Sequence, residues 1–433
     1  MPVPADAALV ERARAAVDPE GLADLALKMT AIPSPTGAER ELAEMVVAHL
    51  RRAGVEADIQ VIDGQCANVL ARLPGRGDGP RLLLYAPLDT AFAGIIAEDE
   101  PWLGATPRAD FALPPRREGR KVIGLGAENP KGFAAAGIGA VEALAAAGVD
   151  SRGDVLLALA GGSMPVDRRP GLAGRVGFGQ GITFLLDHAP RPDFAVVLKP
   201  GYAVAHEEVG LAWFRLTVGG AVNYTGIRHK GPYRNPILSA ARLVTALEDW
   251  FPAFTAAGTS GLVAPQGSID AIHAGSPDRV AFIPASCEID LDLRVAPDSS
   301  PQEVQAQLEA AVATFREADP ALEVSVEMTA SLPGTRTDPD SWIVRSLVRA
   351  WEAREARPHV PLANGSGASD AAVLRSQGIP TARIGLPPPA TPSPFTGFSM
   401  GVADIDSIAG LADLLILAIV DTTFRSRSEV GLP

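Results

Sequence analysis

Polar and charged residues follow several apolar stretches of this sequence, at the points where buried strands would end. Asp89 comes directly after the apolar run 82–88, and the loops GLGAENPKG (124–132), GGSM (161–164) and KPG (199–201) follow other apolar runs. In an open α/β sheet, ligands bind at the carboxyl ends of the strands. Acids, ammonium groups and a hydroxyl gathered there can perform acid–base or nucleophilic catalysis. The predicted catalytic set is Asp89, Glu128, Asn129, Lys131, Ser163 and Lys199.

Strands and helices alternate over the first part of the chain. Apolar residues recur with helical spacing in 7–17, 21–29 and 38–53, and Gly54 ends the third of these helices. Short apolar runs that indicate strands occupy 66–73, 81–86, 154–160 and 194–198. This alternation predicts an α/β fold, with a mostly parallel mixed sheet flanked by helices.

The pattern changes after Gly201. The stretches LAWFRLTV, ASCEIDLDLRV and LEVSVEM alternate between apolar and polar residues, which is typical of strands with one solvated face. Helical stretches separate them. We therefore predict an inserted α+β lid domain over 205–330, and a discontinuous catalytic-type α/β domain formed by 1–204 and 331–433.

Charge and composition exclude several classes of partner. The net charge of −13 argues against binding to nucleic acid or to an anionic membrane, so we expect a small-molecule substrate. Two cysteines are too few for a disulfide scaffold. The beginning of the sequence lacks the pattern of a secretory signal, and no run of 18 apolar residues follows, which together predict a cytoplasmic protein.

The loops resemble those of the M20 family of metallopeptidases and amidohydrolases, which includes succinyl-diaminopimelate desuccinylase and carboxypeptidase G. The stretch LALKMTAIPSPTGAERELAEMVVAHLRRAG is similar to the opening helix and turn of the family, and ADIDSIAGLADLLILAIVD is similar to its closing helix. The resemblance implies a two-zinc catalytic domain and an inserted ferredoxin-like lid, through which many members form homodimers.

The zinc ligands of the family do not recur in the matching loops. The resemblance implies that its five ligands and its general base correspond to Pro87, Asn129, Ser163, Met164, Lys199 and Met400. Zinc in proteins is bound by His nitrogen, Cys thiolate or carboxylate oxygen, and an ammonium group repels a dication. The chain is therefore identified as a divergent member that lacks the zinc ligands, and we expect a metal-free site without a cofactor.

Ser163 and Lys199 suggest a replacement for the metal. The family places both positions around the same metals, and a serine beside a buried lysine, with Lys131 as a second cation, can become a nucleophile. The GGS tripeptide also offers backbone N–H groups for an oxyanion hole. Two alternatives remain open: Ser163 only turns the chain while Lys199 neutralises Asp89 or Glu128, or Lys199 or Glu128 activates a water molecule.

The resemblance also implies substrate-binding residues near the end of the chain. The segment GSGASDAAVL (365–374) is similar to the substrate loop "sGGTSD" of the family, so Ser366 and Ser369 are predicted to contact the substrate. A helix N-cap explains Ser369 and Asp370 equally well.

Four further substrate contacts are predicted in the lid. Tyr224 matches the His-x-Gly position of the family, and His229 could supply the missing imidazole unless it is a solvated loop residue. Asn235 belongs to the same segment. Arg294 matches an arginine that often reaches the substrate, but a salt bridge to Asp292 is the alternative, because strand residues two apart share a face.

Taken together, the sequence predicts a metal-independent hydrolase of a small amide-type C–N bond in an N-acyl, ureido or cyclic imide-like substrate. One alternative is a catalytically inactive M20-like protein that binds a ligand or a partner. A second alternative is a zinc-dependent M20 peptidase whose ligands have moved to other positions.

Overall fold

The computed structural model describes residues 7–164, 177–231, 233–319, 322–392, 395 and 400–433. The chain divides into two compact units. Unit 1 contains Met1–His206, Thr337–Leu362 and Ser369–Pro433, and unit 2 contains Glu207–Arg336 and Ala363–Ala368.

Eleven α-helices and seventeen β-strands are found in the described part of the chain. The helices are α1 Ala7–Ala15, α2 Pro19–Ala31, α3 Arg40–Arg52, α4 Ile96–Leu103, α5 Lys131–Ala146, α6 Gln180–His188, α7 Pro236–Gly258, α8 Pro301–Ala318, α9 Trp342–Glu355, α10 Ala371–Ser376 and α11 Ile405–Thr423. The strands are β1 Glu56–Asp63, β2 Cys66–Leu73, β3 Leu82–Pro87, β4 Arg116–Glu118, β5 Lys121–Ile123, β6 Val155–Ala160, β7 Phe194–Leu198, β8 Glu207–Glu208, β9 Gly210–Gly219, β10 Asn223–Tyr224, β11 Gly267–Ala274, β12 Phe282–Ile283, β13 Ser286–Val295, β14 Val324–Leu332, β15 Thr335–Arg336, β16 Thr381–Ile384 and β17 Val402–Asp404.

Unit 1 is built on a six-stranded mixed sheet with the order β1-β2-β6-β3-β7-β16. The four strands from β6 to β16 are parallel, and β1 and β2 are antiparallel to their neighbours. All of β3 is buried: Leu82 and Leu84 pack into the apolar cluster on one face of the sheet, and Leu83 and Tyr85 pack into the cluster on the other. Burial on both faces explains the unbroken apolar run, and the predicted α/β class is confirmed.

Three adjacent parallel strands deliver the central loops to one edge of this sheet. The strands β6, β3 and β7 are neighbours, and at their carboxyl ends lie the loops that contain Ser163, Asp89 and Lys199 respectively. The loop 124–130 is different, because it leaves β5 in a separate three-stranded sheet with the order β17-β5-β4. Only two apolar residues, Val122 and Ile123, precede this loop, and two residues are too few to indicate which sheet their strand joins.

Unit 2 has the βαββαβ order of the ferredoxin-like fold. Its antiparallel sheet has the order β11-β13-β9-β14, and α7 and α8 contribute to the same apolar cluster as the sheet. A capping box starts α8, because Ser300 Oγ accepts from Glu303 N while Glu303 Oε2 accepts from Ser300 N. The predicted α+β ferredoxin-like fold of the inserted domain is therefore confirmed.

None of the helices in the described residues is long and apolar enough to span a membrane.

Candidate active site

Asp89 holds the Ser163 loop through one carboxylate oxygen. Its Oδ2 accepts from Thr36 Oγ1 at 3.0 Å, from Ser163 N at 3.0 Å and from Met164 N at 2.8 Å. The side chain is fully buried, and burial raises its pKa, although these hydrogen bonds and the charge of Lys199 oppose the rise. Oδ1 has no hydrogen-bond partner within the described residues. Asp89 therefore fixes the position of the Ser163 loop by hydrogen bonds.

Glu39 is a second buried carboxyl that holds the same loop. It directly precedes α3, and its Oε1 accepts from Gly37 N at 2.6 Å and from Gly162 N at 3.0 Å. Burial, together with the charge of Asp89, raises the pKa of Glu39 to about 8. The raised pKa favours the protonated form of Glu39 near neutral pH, which limits the negative charge that is buried beside Asp89.

All four backbone N–H groups of residues 161–164 are occupied by side chains. Gly161 N donates to Asn68 Oδ1 at 3.1 Å, and the next three N–H groups donate to Glu39 and Asp89. The expectation that the GGS backbone forms an oxyanion hole is therefore wrong, because those donors point at buried acceptors. These four hydrogen bonds hold the loop in one conformation, which fixes the position of the Ser163 side chain.

The Ser163 hydroxyl lies against a buried tyrosine–aspartate pair. Tyr85 Oη donates a short hydrogen bond to Asp370 Oδ2, and both side chains are buried. Contact with the Ser163 hydroxyl lowers the pKa of both partners, although Oγ makes no hydrogen bond of normal geometry to any described residue. The pKa of Asp370 is nevertheless raised to about 6, because the effect of burial exceeds the lowering by Ser163 and Tyr85.

Lys199 supplies positive charge to the same cluster. Its side chain is only 7% exposed. The ammonium group lowers the pKa of Asp89 and that of Asp370, which places it within electrostatic range of both carboxyls. The structure therefore brings together three of the predicted catalytic residues, namely Asp89, Ser163 and Lys199.

Of the other three predicted catalytic residues, Glu128 and Asn129 lie in the loop before α5 and Lys131 is the first residue of that helix. The backbone N–H groups of Glu128 and Asn129 donate to Met400 O at 3.0 and 3.2 Å, and Lys131 Nζ donates to Ile32 O at 2.8 Å. Burial raises the pKa of Glu128 to about 7 and lowers that of Lys131 to about 7. Burial alone accounts for both shifts, and among the described residues no charged neighbour contributes to them.

The residues of the cluster do not fit a zinc pair. Asp89 uses Oδ2 for three hydrogen bonds, and the positions that resemble family ligands offer proline, methionine, asparagine and lysine. Within the described ranges, no group of three or more His, Cys, Asp or Glu side chains is arranged to hold a metal ion. An ammonium group in the cluster further disfavours a dication.

The predicted substrate residues lie in different parts of the chain. Ser369 belongs to unit 1, where its Oγ accepts from Ala371 N at 3.3 Å as a cap of α10 would. Ser366 belongs to unit 2 and its Oγ accepts from Gln266 N at 3.2 Å.

The remaining predicted contacts are all in unit 2. Tyr224 is 47% exposed on β10, and His229 is exposed in the turn that follows. Asn235 caps α7 by accepting from Ile237 N at 3.0 Å. Arg294 pairs with Asp292 at 3.0 Å, which is the salt bridge foreseen as the alternative to substrate binding.

Glu39, Tyr85 and the role of Asp370 were missed by reasoning from the sequence. Tyr85 carried a signal, because a tyrosine inside a fully apolar strand must find a partner for its hydroxyl. Asp370 looked like a helix cap, yet its side chain makes no capping hydrogen bond and binds Tyr85 instead.

Comparison with known proteins agrees with this architecture. Residues 206–320 match the model of the M20 peptidase dimerisation domain. Human carnosine dipeptidase 1 is 15% identical with a TM-score of 0.69, and the match covers 96% of this chain and 99% of that one. The dipeptidase Dug1p of Saccharomyces cerevisiae is 12% identical with a TM-score of 0.72, and the match covers 96% of this chain and 98% of that one. An amidase of the hydantoinase/carbamoylase family from Burkholderia multivorans is 17% identical with a TM-score of 0.63, and the match covers 95% of this chain and 99% of that one. The chain has the fold of the M20 peptidases and amidohydrolases and carries their dimerisation domain.

Proposed function

We propose that this protein is a metal-independent hydrolase that cleaves a small amide-type C–N bond through Ser163 and Lys199. One observation carries the proposal: the hydroxyl of Ser163 and the ammonium of Lys199 both lower the pKa of the same buried carboxyl, that of Asp370. Ser163 and Lys199 follow β6 and β7, the two neighbours of β3, at the carboxyl edge of the sheet, where α/β proteins bind ligands. The names of the similar structures, a dipeptidase and an amidase among them, support cleavage of a C–N bond.

In this proposal Ser163 attacks the carbonyl carbon and Lys199 stabilises the negative charge that develops on the carbonyl oxygen. A fixed ammonium group in a site from which water is excluded can supply much of the electrostatic stabilisation that a metal supplies elsewhere. The rigid loop 161–164 contributes by holding the attacking oxygen in one position, which reduces the entropic cost of reaching the transition state. The substrate is an N-acyl, ureido or cyclic imide-like compound.

The proposal includes a homodimer formed through unit 2, which is supported by the match to a dimerisation domain. A cytoplasmic location stays a prediction from the sequence.

Turnover of a panel of N-acyl, ureido and cyclic imide compounds tests the proposal. We expect the protein to hydrolyse at least one class, and we expect Ser163→Ala and Lys199→Met to lower kcat by about 100-fold or more, as is usual when a nucleophile or a charge-stabilising group is removed. Ser300→Ala is the matched control, because it removes a hydroxyl from the N-cap of α8 in unit 2. Full activity of Ser163→Ala, or no turnover of the whole panel, would contradict the proposal.

A further inference from the structure

Asp370 is placed for chemistry rather than for capping. It directly precedes α10, where an aspartate side chain normally accepts from the first turn, but here it makes no such bond. Its carboxylate is buried and Oδ2 accepts from Tyr85 Oη. The titratable and charged groups that act on it are Tyr85 from β3, Lys199 from the loop after β7, and Asp89 from the loop after β3. The Ser163 hydroxyl lies close enough to lower the pKa of the same carboxyl, although its Oγ makes no hydrogen bond to any described residue.

Lys199 is poorly placed to accept a proton. It faces two carboxyls, those of Asp89 and Asp370, and opposite charges nearby favour the charged form of a lysine. A charged lysine can stabilise an oxyanion, but it has no lone pair with which to accept the hydroxyl proton. Asp89 Oδ2 already accepts from two N–H groups of the loop and from Thr36 Oγ1, whereas the Ser163 hydroxyl lies close enough to Asp370 to lower the pKa of its carboxyl.

We propose that Asp370 is the catalytic base that accepts the hydroxyl proton of Ser163, and that Tyr85 is a positioning residue that fixes the Asp370 carboxylate. This assignment rests on the proposed hydrolase function and replaces a serine–lysine proton transfer by a serine–aspartate one. Lys199 keeps the role of a fixed cation.

The proposed reaction needs only the substrate, water, Ser163 and Asp370. Ser163 Oγ forms a bond to the carbonyl carbon while its proton moves to Asp370. The C–N bond then breaks, and the proton passes from Asp370 to the leaving nitrogen, which departs as an amine. Water attacks the resulting ester, gives a proton to Asp370, and releases the carboxylic acid as the Ser163 oxygen recovers that proton.

The protonation state of Asp370 suits this role. Burial raises its pKa to about 6, so the carboxylate is ionised at pH 7 and is still basic enough to accept a proton. Tyr85 stabilises the ionised form by donating a hydrogen bond, so removal of its hydroxyl raises the pKa of Asp370 further. The acidic limb of the pH–rate profile should therefore move to higher pH in Tyr85→Phe.

Two measurements test the assignment. The first is the rate at which a fluorophosphonate labels Ser163, read by mass spectrometry of the full chain, and the second is the pH dependence of kcat/KM. We expect Asp370→Asn to label at least about 100-fold more slowly than the wild type, in line with the loss of a general base. We expect Tyr85→Phe to shift the acidic limb upward. Tyr202→Phe is the matched control, since it removes a hydroxyl that donates to Glu355 elsewhere in unit 1, and its acidic limb should not move.

The outcomes separate this inference from the function on which it rests. Labelling of Ser163 that is as fast in Asp370→Asn as in the wild type, with an unmoved acidic limb in Tyr85→Phe, overturns the role of Asp370 and leaves the serine mechanism intact. Failure of the reagent to label Ser163 in the wild type, with full activity of Ser163→Ala, removes the serine mechanism and this inference together.

Discussion

Three buried carboxyls dominate the candidate site at the level of single residues. Glu39, Asp89 and Asp370 all have raised pKa values, in each case mainly because burial disfavours the charged form. The charge of Lys199 lowers the pKa of Asp89 and Asp370 and so offsets part of the effect of burial. Backbone N–H groups that donate to Glu39 and Asp89 lower the pKa of those two carboxyls in the same way. Perturbed acids in a shared buried cluster are more typical of functional sites than of ordinary cores.

Glu39 makes the stability of the fold depend on pH. A carboxyl whose pKa is raised to about 8 keeps its proton in the folded state, whereas the unfolded chain releases it near the ordinary value of 4.5. The folded state therefore binds more protons over this window, and the free energy of unfolding falls as the pH rises through it, by at most about 1.4 kcal/mol per pH unit. Glutamine keeps the acceptor oxygen without the acid, so Glu39→Gln should flatten this decline.

Chemical denaturation between pH 5 and pH 9 checks this expectation. Glu41→Gln is the control, because it changes an exposed carboxyl in α3, two residues after Glu39, and should leave the slope of the wild type unchanged. An equal slope in Glu39→Gln and in the wild type would show that Glu39 is ionised in the folded protein.

The sequence predicted part of this cluster for a clear physical reason. Asp89, Ser163 and Lys199 each follow an apolar strand, and parallel strands bring such loops together whatever their distance along the chain. Tyr85 and Asp370 are separated by 285 positions, and no local pattern encodes their pairing. Glu39 lies before a helix, where a carboxylate is ordinary.

At the level of elements, the loop 161–164 is held as much by close packing as by hydrogen bonds. Gly181 lies in the first turn of α6, and a Cβ there would contact Gly161 O and would lie 2.6 Å from Asn68 Oδ1. Asn68 also joins the two elements, because Nδ2 donates to Gly181 O at 2.9 Å while Oδ1 accepts from Gly161 N. Helix α6 can therefore sit against the loop only if this residue has no side chain.

Gly181→Ala should displace the loop and lower both stability and activity. Overpacking of this kind costs about 1–3 kcal/mol, and a shifted Ser163 reacts more slowly because its attack angle changes. Gly64→Ala is the control, since a Cβ at that position meets no atom within 4 Å and its backbone φ is not left-handed. Thermal unfolding and labelling of Ser163 measure the two effects, and a Gly181→Ala protein that matches the control in both would contradict this account of the loop.

Strand and helix types were more predictable than sheet membership. Alternating apolar residues distinguished the antiparallel sheet of unit 2 from the buried strands of unit 1, because a solvated face leaves every second residue polar. The two residues Val122 and Ile123 carry no such period, so the sequence did not reveal that β5 pairs with β17 rather than joining the main sheet.

For the whole molecule, each unit has an apolar core of its own. The core of unit 2 is formed only by residues between 212 and 328, and the cores of unit 1 contain none of them. Unit 2 also exposes apolar side chains that its own core does not need, among them Val280 at 84% and Phe282 at 56%. Exposed apolar groups on a dimerisation domain favour association with a second copy of the chain.

Light scattering of the full chain in solution should give twice the 44.9 kDa mass of one copy. Val280→Asp should weaken the dimer, because association would bury an unpaired charge. Val360→Asp is the matched control in unit 1, where Val360 is 67% exposed. A monomer mass for the wild type at micromolar concentration would contradict the homodimer.

Amide turnover by metal-depleted protein tests whether charged and hydroxyl side chains perform the chemistry without a metal ion. The protein is dialysed against a strong chelator, its metal content is measured, and kcat/KM is compared with that of the untreated sample. We expect equal kcat/KM in the two samples at a zinc content far below one ion per chain. Loss of activity on chelation, with recovery on addition of zinc, would contradict it.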